Sequence, residues 1–384
     1  MTRRTGIGLA AAALLLVCAA LFLFRLRREM SDFEVNYRAG RRLWRGETLY
    51  RPSDEHWQFK YSPASAMLYA PLALLPEEAA KAIWLVVVAA SSAAVLLLAA
   101  GFAAPPGRRR VAAGLLAGLV LARFFLRELQ LGQINALVTA GLMGTAWLLS
   151  DRAPGKSDQR SAWAGVLWGA ATALKPYAVI FLPYFVLKRA WRVLGAGIAA
   201  LAASILLPAL FYGFRGDFAV HREWATTLSR STPGLLASQD NVSLLAFLVK
   251  TTGDPKLAGP LFAVLVAGLM ALTLAFVRRG GPGFRTVPSD AALLLLFIPL
   301  LSPLGWDYTF LAAAPAAAAV LARFDRLPLP GRALLATGLA AAGFSFYDLL
   351  GRRAYAAYMA WSIPTVCFLV LAAAVFYLRW KNEL

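Results

Sequence analysis

The sequence predicts an all-α polytopic membrane protein, and three observations carry that prediction. Of its 384 residues 60% are hydrophobic and only 15% charged, with a mean hydropathy of +0.62; a soluble domain has about 25% charged residues. Apolar runs close to the roughly 20 residues that cross a bilayer recur from end to end. Backbone groups in lipid must bond within their own segment, so such runs are helices. The third observation is the lack of any long polar stretch, which leaves residues 1–384 as one membrane domain.

About twelve spans are read, at 6–24, 82–103, 111–127, 133–149, 161–174, 177–187, 192–212, 257–277, 289–302, 308–323, 332–347 and 356–378. The first has no small-residue cleavage site and runs into Arg25, Arg27 and Arg28, which predicts a retained anchor. The fifth and sixth are short and separated by Lys175-Pro176, because proline disfavours helix at the residue before it. Residues 63–76 are apolar but too short to span, which predicts an interfacial or re-entrant helix inside a long outer loop at 25–81. A second long outer loop is predicted at 213–256. Cys18 and Cys367 lie in apolar segments without a partner at metal or disulfide spacing, and read as packing residues.

Charge sets the orientation. With the N-terminus inside, 19 of the 39 lysines and arginines fall in the short inner segments and only five in the short outer ones. The positive-inside rule then places both termini in the cytoplasm. The net charge of +19 is thus explained by topology and by membrane lipids, not by nucleic acid.

Acidic residues are scarce, so each is informative. Asp32, in M-S-D-F-E-V-N-Y-R-A-G, follows the first span closely and is set among Phe33, Tyr37 and Arg38. A carboxylate there suits a general base that deprotonates an acceptor hydroxyl; it also suits a helix N-cap. The run containing Lys60 and Tyr61 follows in the same loop. E-L-Q-L-G-Q-I-N at 128–135 offers Gln130, Gln133 and Asn135, amides that must bond another helix or a ligand at membrane depth. Lys175, apolar on both sides, needs a counter-charge, with Asp307 or a phosphate as candidates. S-Q-D-N-V-S-L at 238–244 supplies Asn241 and Ser243 as a cap or a polar ligand set. Trp306, Asp307 and Tyr308 form either an interfacial anchor or a sugar platform. The sequence has no D-x-D pair, no metal-ligand cluster and no glycine-rich phosphate loop, which predicts cationic side chains as the partners of any leaving phosphate.

Taken in order, D-F-x-V-x-Y-x-A, G-x-x-L-Y, F-x-Y-S-P, L-G-Q-I-N, A-L-K-P-Y, D-N-V-S-L and S-P-L-G-W-D-Y resemble glycosyltransferase family 87 over about residues 31–325. That family resembles the polyprenol-phosphate-mannose-dependent mannosyltransferases of bacterial envelopes. The resemblance implies a GT-C-like bundle whose long extracytoplasmic first loop carries Asp32 as catalytic base. It implies inverting transfer of a hexose from a polyprenyl-phosphate sugar to an envelope glycolipid or glycan, without a metal cofactor, at the plasma membrane. The Lys175 and Asp240–Ser243 blocks match positions implied to line the lipid-phosphate and sugar cavity, with Arg352 or Arg353 as further phosphate partners. One departure stands out: the family reads W-D-H-Y where this chain has Trp306-Asp307-Tyr308-Thr309. Tyrosine supplies no group titrating near neutral pH. The alternative class is a lipid or solute transporter, for which broken helices and intramembrane polar groups are also suited.

Overall fold

The computed structural model describes residues 29–103, 107–150, 157–281 and 283–384. The predicted span at 6–24, with Cys18, and the inner-loop residues Arg152 and Lys156 lie outside them. Over the described residues the chain is helical and has no strand; Asn241 and Trp306 form an isolated antiparallel bridge. The helices are α1 (Ser31–Trp44), α2 (Pro63–Tyr69), α3 (Glu77–Ala103), α4 (Arg108–Val120), α5 (Ala122–Leu131) and α6 (Asn135–Leu149). They continue as α7 (Ser157–Leu174), α8 (Leu182–Leu187), α9 (Trp191–Leu206), α10 (Ala209–Leu235), α11 (Leu244–Thr252) and α12 (Pro255–Arg279). The last are α13 (Val287–Leu301), α14 (Ala314–Leu321), α15 (Leu329–Phe344), α16 (Tyr347–Ala360) and α17 (Ile363–Trp380).

By length and composition α3, α12 and α17 can cross a membrane unbroken. Two bent pairs, α9 with α10 at 92° and α15 with α16 at 107°, raise the number to five if each pair is one span. Other apolar runs resolve into shorter or interrupted helices, since an apolar run does not guarantee an unbroken one. The predicted span at 111–127 breaks at Leu121 into α4 and α5. Much of the predicted outer loop at 213–256 is helix, in α10 and α11. α10 breaks at Gly213 (φ 66°, ψ 168°); beyond the break it exposes Phe214 and Phe218, four residues apart, and buries Asp217 and Val220.

The core forms around α13 and α14, which are apolar on every face and buried along nearly their whole length, as such helices must be. Phe310, just before α14, stacks on Phe368 of α17 at 3.9 Å. The one acid of α13, Asp290, is fully buried and satisfied by an ion pair with Arg379 and a hydrogen bond from Thr286 at 2.8 Å; removing one partner of such a buried pair costs about 3–5 kcal/mol, because the other charge is left uncompensated. α7 and α9 pack backbone to backbone through Gly165, Gly169 and Gly197, where a Cβ would collide with the facing chain. That contact holds the end of α7, and so Lys175, in place.

Candidate active site

α1 delivers Asp32. Its Phe33, Tyr37 and Leu43 face is buried, with Phe33 packed among Tyr37, Tyr69 and Trp84 at ring separations of 5.9–6.1 Å. Glu34 pairs with Lys81 of α3 at 2.6 Å, and Tyr37 donates to the Leu75 carbonyl at 2.8 Å. With the helix clamped on both sides, Asp32 projects from its first turn, partly exposed. It is not a cap: Met30 occupies the cap position and no side chain caps the helix.

The Asp32 carboxylate accepts a 2.6 Å hydrogen bond from the Gln133 amide, which also donates to Tyr308 at 3.2 Å. The amide oxygen of Gln133 accepts from Tyr61 at 2.9 Å. Gln133 is placed by Gly132, which ends α5 in a left-handed conformation (φ 66°). A Cβ on Gly132 would lie 2.8 Å from atoms of Met30 and Phe33, so only glycine lets this turn press against α1. Tyr61 is brought in by Ser62 and Ser65, which donate to the Ala173 and Leu174 carbonyls at 2.5 and 3.1 Å. The same bonds set Lys175 beside it, with its ammonium 4.8 Å from the Tyr61 ring centroid.

A second carboxylate stands behind this cluster. Glu128 is fully buried and accepts from the Asn135 amide and the Ala136 N–H, both at 2.8 Å. The Asn135 oxygen in turn accepts from Tyr177 at 3.1 Å. Burial pushes Glu128 up and Lys175 down, and each charge favours the other's ionised form. Burial likewise raises Asp32 above the ordinary aspartate range; the Gln133 bond and the charges of Lys175, Arg127 and His56 oppose it. Among the described residues no hydrogen-bond acceptor meets the Lys175 ammonium, so three donors beside the carboxylates are unused.

Tyr308 links the cluster to a cavity of about 790 Å³. Trp306, Asp307 and Tyr308 line one side and Arg123, Arg127 and Gln130 another, while Leu119, Leu126, Phe344 and Phe346 give it apolar walls. Arg123 pairs with Asp307 at 2.7 Å, with both side chains mostly buried, and also donates to the Ser345 carbonyl. Arg127 is exposed and bonds Gln130 at 2.7 Å. The site therefore combines a raised carboxylate, cationic donors and a cavity with polar and apolar walls, a set able to bind an anion and to take a proton from a hydroxyl.

Seven predicted residues meet here: Asp32, Tyr61, Gln133, Asn135, Lys175, Asp307 and Tyr308, with Trp306 on the cavity wall. Others are placed differently. Tyr37 is a tether for α1, as described. Lys60 meets α10 through its carbonyl, which accepts from Trp224 at 3.1 Å, and joins no part of the cluster. Asn241 and Ser243 are fully buried scaffold residues: Asn241 bonds the Pro303 carbonyl and Gly305 N–H, both at 3.0 Å, and Ser243 caps α11. Lys175 faces Glu128 and Asp32, because Asp307 is taken by Arg123. Arg352 and Arg353 are exposed on α16 and do not line the cavity, a place held by Arg123 and Arg127. Glu128 and Tyr177 are the functional candidates missed in the sequence; an acid inside E-L-Q-L-G-Q-I-N, with amides around it, was the available signal.

The family model for glycosyltransferase family 87 matches residues 59–303, more than half of the chain. The chain belongs to glycosyltransferase family 87. The match includes Tyr61, Glu128, Gln133, Asn135 and Lys175, while Asp32 and the Trp306–Tyr308 group lie outside it. No curated protein matches the chain. Among solved structures, ArnT from Cupriavidus metallidurans bound to undecaprenyl phosphate is similar over 96% of this chain and 77% of its own, at 13% identity and a TM-score of 0.41.

Proposed function

We propose that this family 87 glycosyltransferase moves a hexose, assigned as mannose, from a polyprenyl-phosphate sugar to an envelope glycolipid or glycan. The reaction is assigned to the extracytoplasmic face of a bacterial plasma membrane, with about twelve spans and both termini inside. The observation that carries the reading is Asp32: a carboxylate of raised pKa, under the charges of Lys175 and Arg127 and held by Gln133, which also bonds the cavity-lining Tyr308. A raised pKa makes a carboxylate a stronger base toward a hydroxyl proton.

In the proposed reaction the lipid-linked sugar enters the cavity along its apolar wall. Its phosphate is met by Arg127 and Lys175, without a metal cofactor. The acceptor hydroxyl oxygen attacks the anomeric carbon and passes its proton to Asp32. The bond from that carbon to the phosphate oxygen breaks with inversion, and polyprenyl phosphate leaves with the electron pair. Orientation of the two substrates supplies much of the rate.

The test incubates membranes carrying this chain with radiolabelled polyprenyl-phosphate mannose and envelope lipid extract, beside Asp32→Asn. Label should move to a new product only when Asp32 is intact. No transfer from mannose, glucose or arabinose donors would sink the reading, as would full activity in the Asn protein.

A further inference from the structure

We infer that a second cavity, between residues 48–58 and α10, binds the saccharide portion of the acceptor; this rests on the transferase reading above. Its volume is about 540 Å³, inside the range of about 300–1,000 Å³ usual for small-molecule sites. Its α10 wall is built from two rows at four-residue spacing: Arg222, Thr226 and Arg230, then Glu223, Thr227 and Ser231. Residues so spaced share one helix face. The wall therefore mixes cationic donors, hydroxyls and a carboxylate. That mixture fits a sugar, whose hydroxyls both donate and accept, better than a bare phosphate, which Glu223 would repel.

Its polar groups are partly unspent. Thr48 donates to one oxygen of Glu223 at 2.8 Å, and among the described residues Arg222 and Arg230 make no side-chain hydrogen bond or ion pair. On the opposite wall, Pro52 and Gln58 flank a turn in which Glu55 is held at φ 48° and ψ −116°, a conformation unfavourable for a non-glycine residue. The turn is pinned to α1 by the two-point Arg42–Asp54 pair, at 2.5 and 2.8 Å, and presents Trp57 45% exposed. The floor connects with the base. Tyr50 donates to the Tyr61 carbonyl at 2.7 Å, Tyr61 donates to Gln133, and Gln133 holds Asp32. A saccharide seated here adjoins Tyr50, which stands three hydrogen bonds from Asp32.

The test places a cysteine at the wall, Thr226→Cys, and follows its labelling by a maleimide in membranes, with the parent protein as background. Deacylated glycans from envelope lipid extract should slow labelling at least fivefold, and Glu223→Ala with Arg230→Ala should abolish the protection. Equal labelling with and without glycan overturns the inference, even where sugar transfer is observed. Protection by inorganic phosphate as strong as by glycan also overturns it. In transfer assays Thr226→Trp should raise the half-saturating amount of acceptor extract about tenfold and leave that of the donor within twofold. Protection by glycan in a protein that transfers no sugar would uphold the pocket and reject the transferase reading instead.

Discussion

Asp32→Asn separates the cost of chemistry from the cost of folding. Asparagine has nearly the shape of aspartate, and its side-chain oxygen can still accept from Gln133 in place of the 2.6 Å bond. What changes is the charge. A hydrogen bond to a charged group contributes about 1.5–3 kcal/mol and a neutral one about 0.5–1.5, so the substitution weakens this bond by about 1 kcal/mol. Burial works in the opposite direction. The folded-state pKa of Asp32 is raised, so its contribution to stability is fully present below the ordinary aspartate pKa and lost as pH rises through the folded value. Near pH 7 the ionised group therefore burdens the fold, and asparagine relieves that burden. The two terms oppose, and the variant should unfold within about 1 kcal/mol of the parent, on the scale of one hydrogen bond. Catalysis has no such offset. Loss of a general base costs about 10²- to 10⁴-fold, which is about 2.7–5.4 kcal/mol of barrier at 1.36 per decade. Initial rates of label transfer in membranes, read with thermal unfolding of the purified protein, measure both. More than a tenth of the parent rate at matched folding would refute the reasoning.

Other consequences follow from the same geometry. The rate should fall as pH drops through a midpoint above the ordinary aspartate value, because the base must be ionised; a midpoint at or below that value counts against burial as its cause. Gln133→Leu strands Asp32 and the Tyr61 hydroxyl, each at about 1–3 kcal/mol, and should lower both activity and the unfolding midpoint. Arg127→Ala should raise the half-saturating donor concentration with little loss of stability, since Arg127 is exposed. Arg123→Ala should destabilise by about 3–5 kcal/mol, the scale for breaking a buried ion pair, because it strands Asp307. Gly132→Ala should cost about 2 kcal/mol or more, from the left-handed backbone and the overpacking of Met30 and Phe33; an unchanged unfolding midpoint would contradict that turn.

Much of the site was legible as a set of residue types in the wrong company. The scarcity of acids marked Asp32, and apolar surroundings marked Lys175, Gln133 and Asn135, since a polar group there is costly in lipid without a partner. Partner identity was not legible. Local spacing cannot show that Ser62 and Ser65 reach the end of α7, 111 and 109 residues away. Nor can it show that Arg123 claims Asp307 across 184 residues and so leaves Lys175 to Glu128. Asn241 and Ser243 carry the same polar chemistry as Gln133 and Asn135, yet they are spent on backbone that closes α11 onto the 303–305 turn.

The sequence by itself determined the helical membrane class, the order of the family blocks and the short list of groups able to do chemistry. Composition and hydropathy are sums over neighbouring residues, so they survive without a fold. Tertiary structure alone decided which helices run unbroken, which polar side chains are scaffold and which face a cavity. Those outcomes depend on contacts between segments far apart in the chain, and a buried donor or carboxylate takes its role from the partner it meets there.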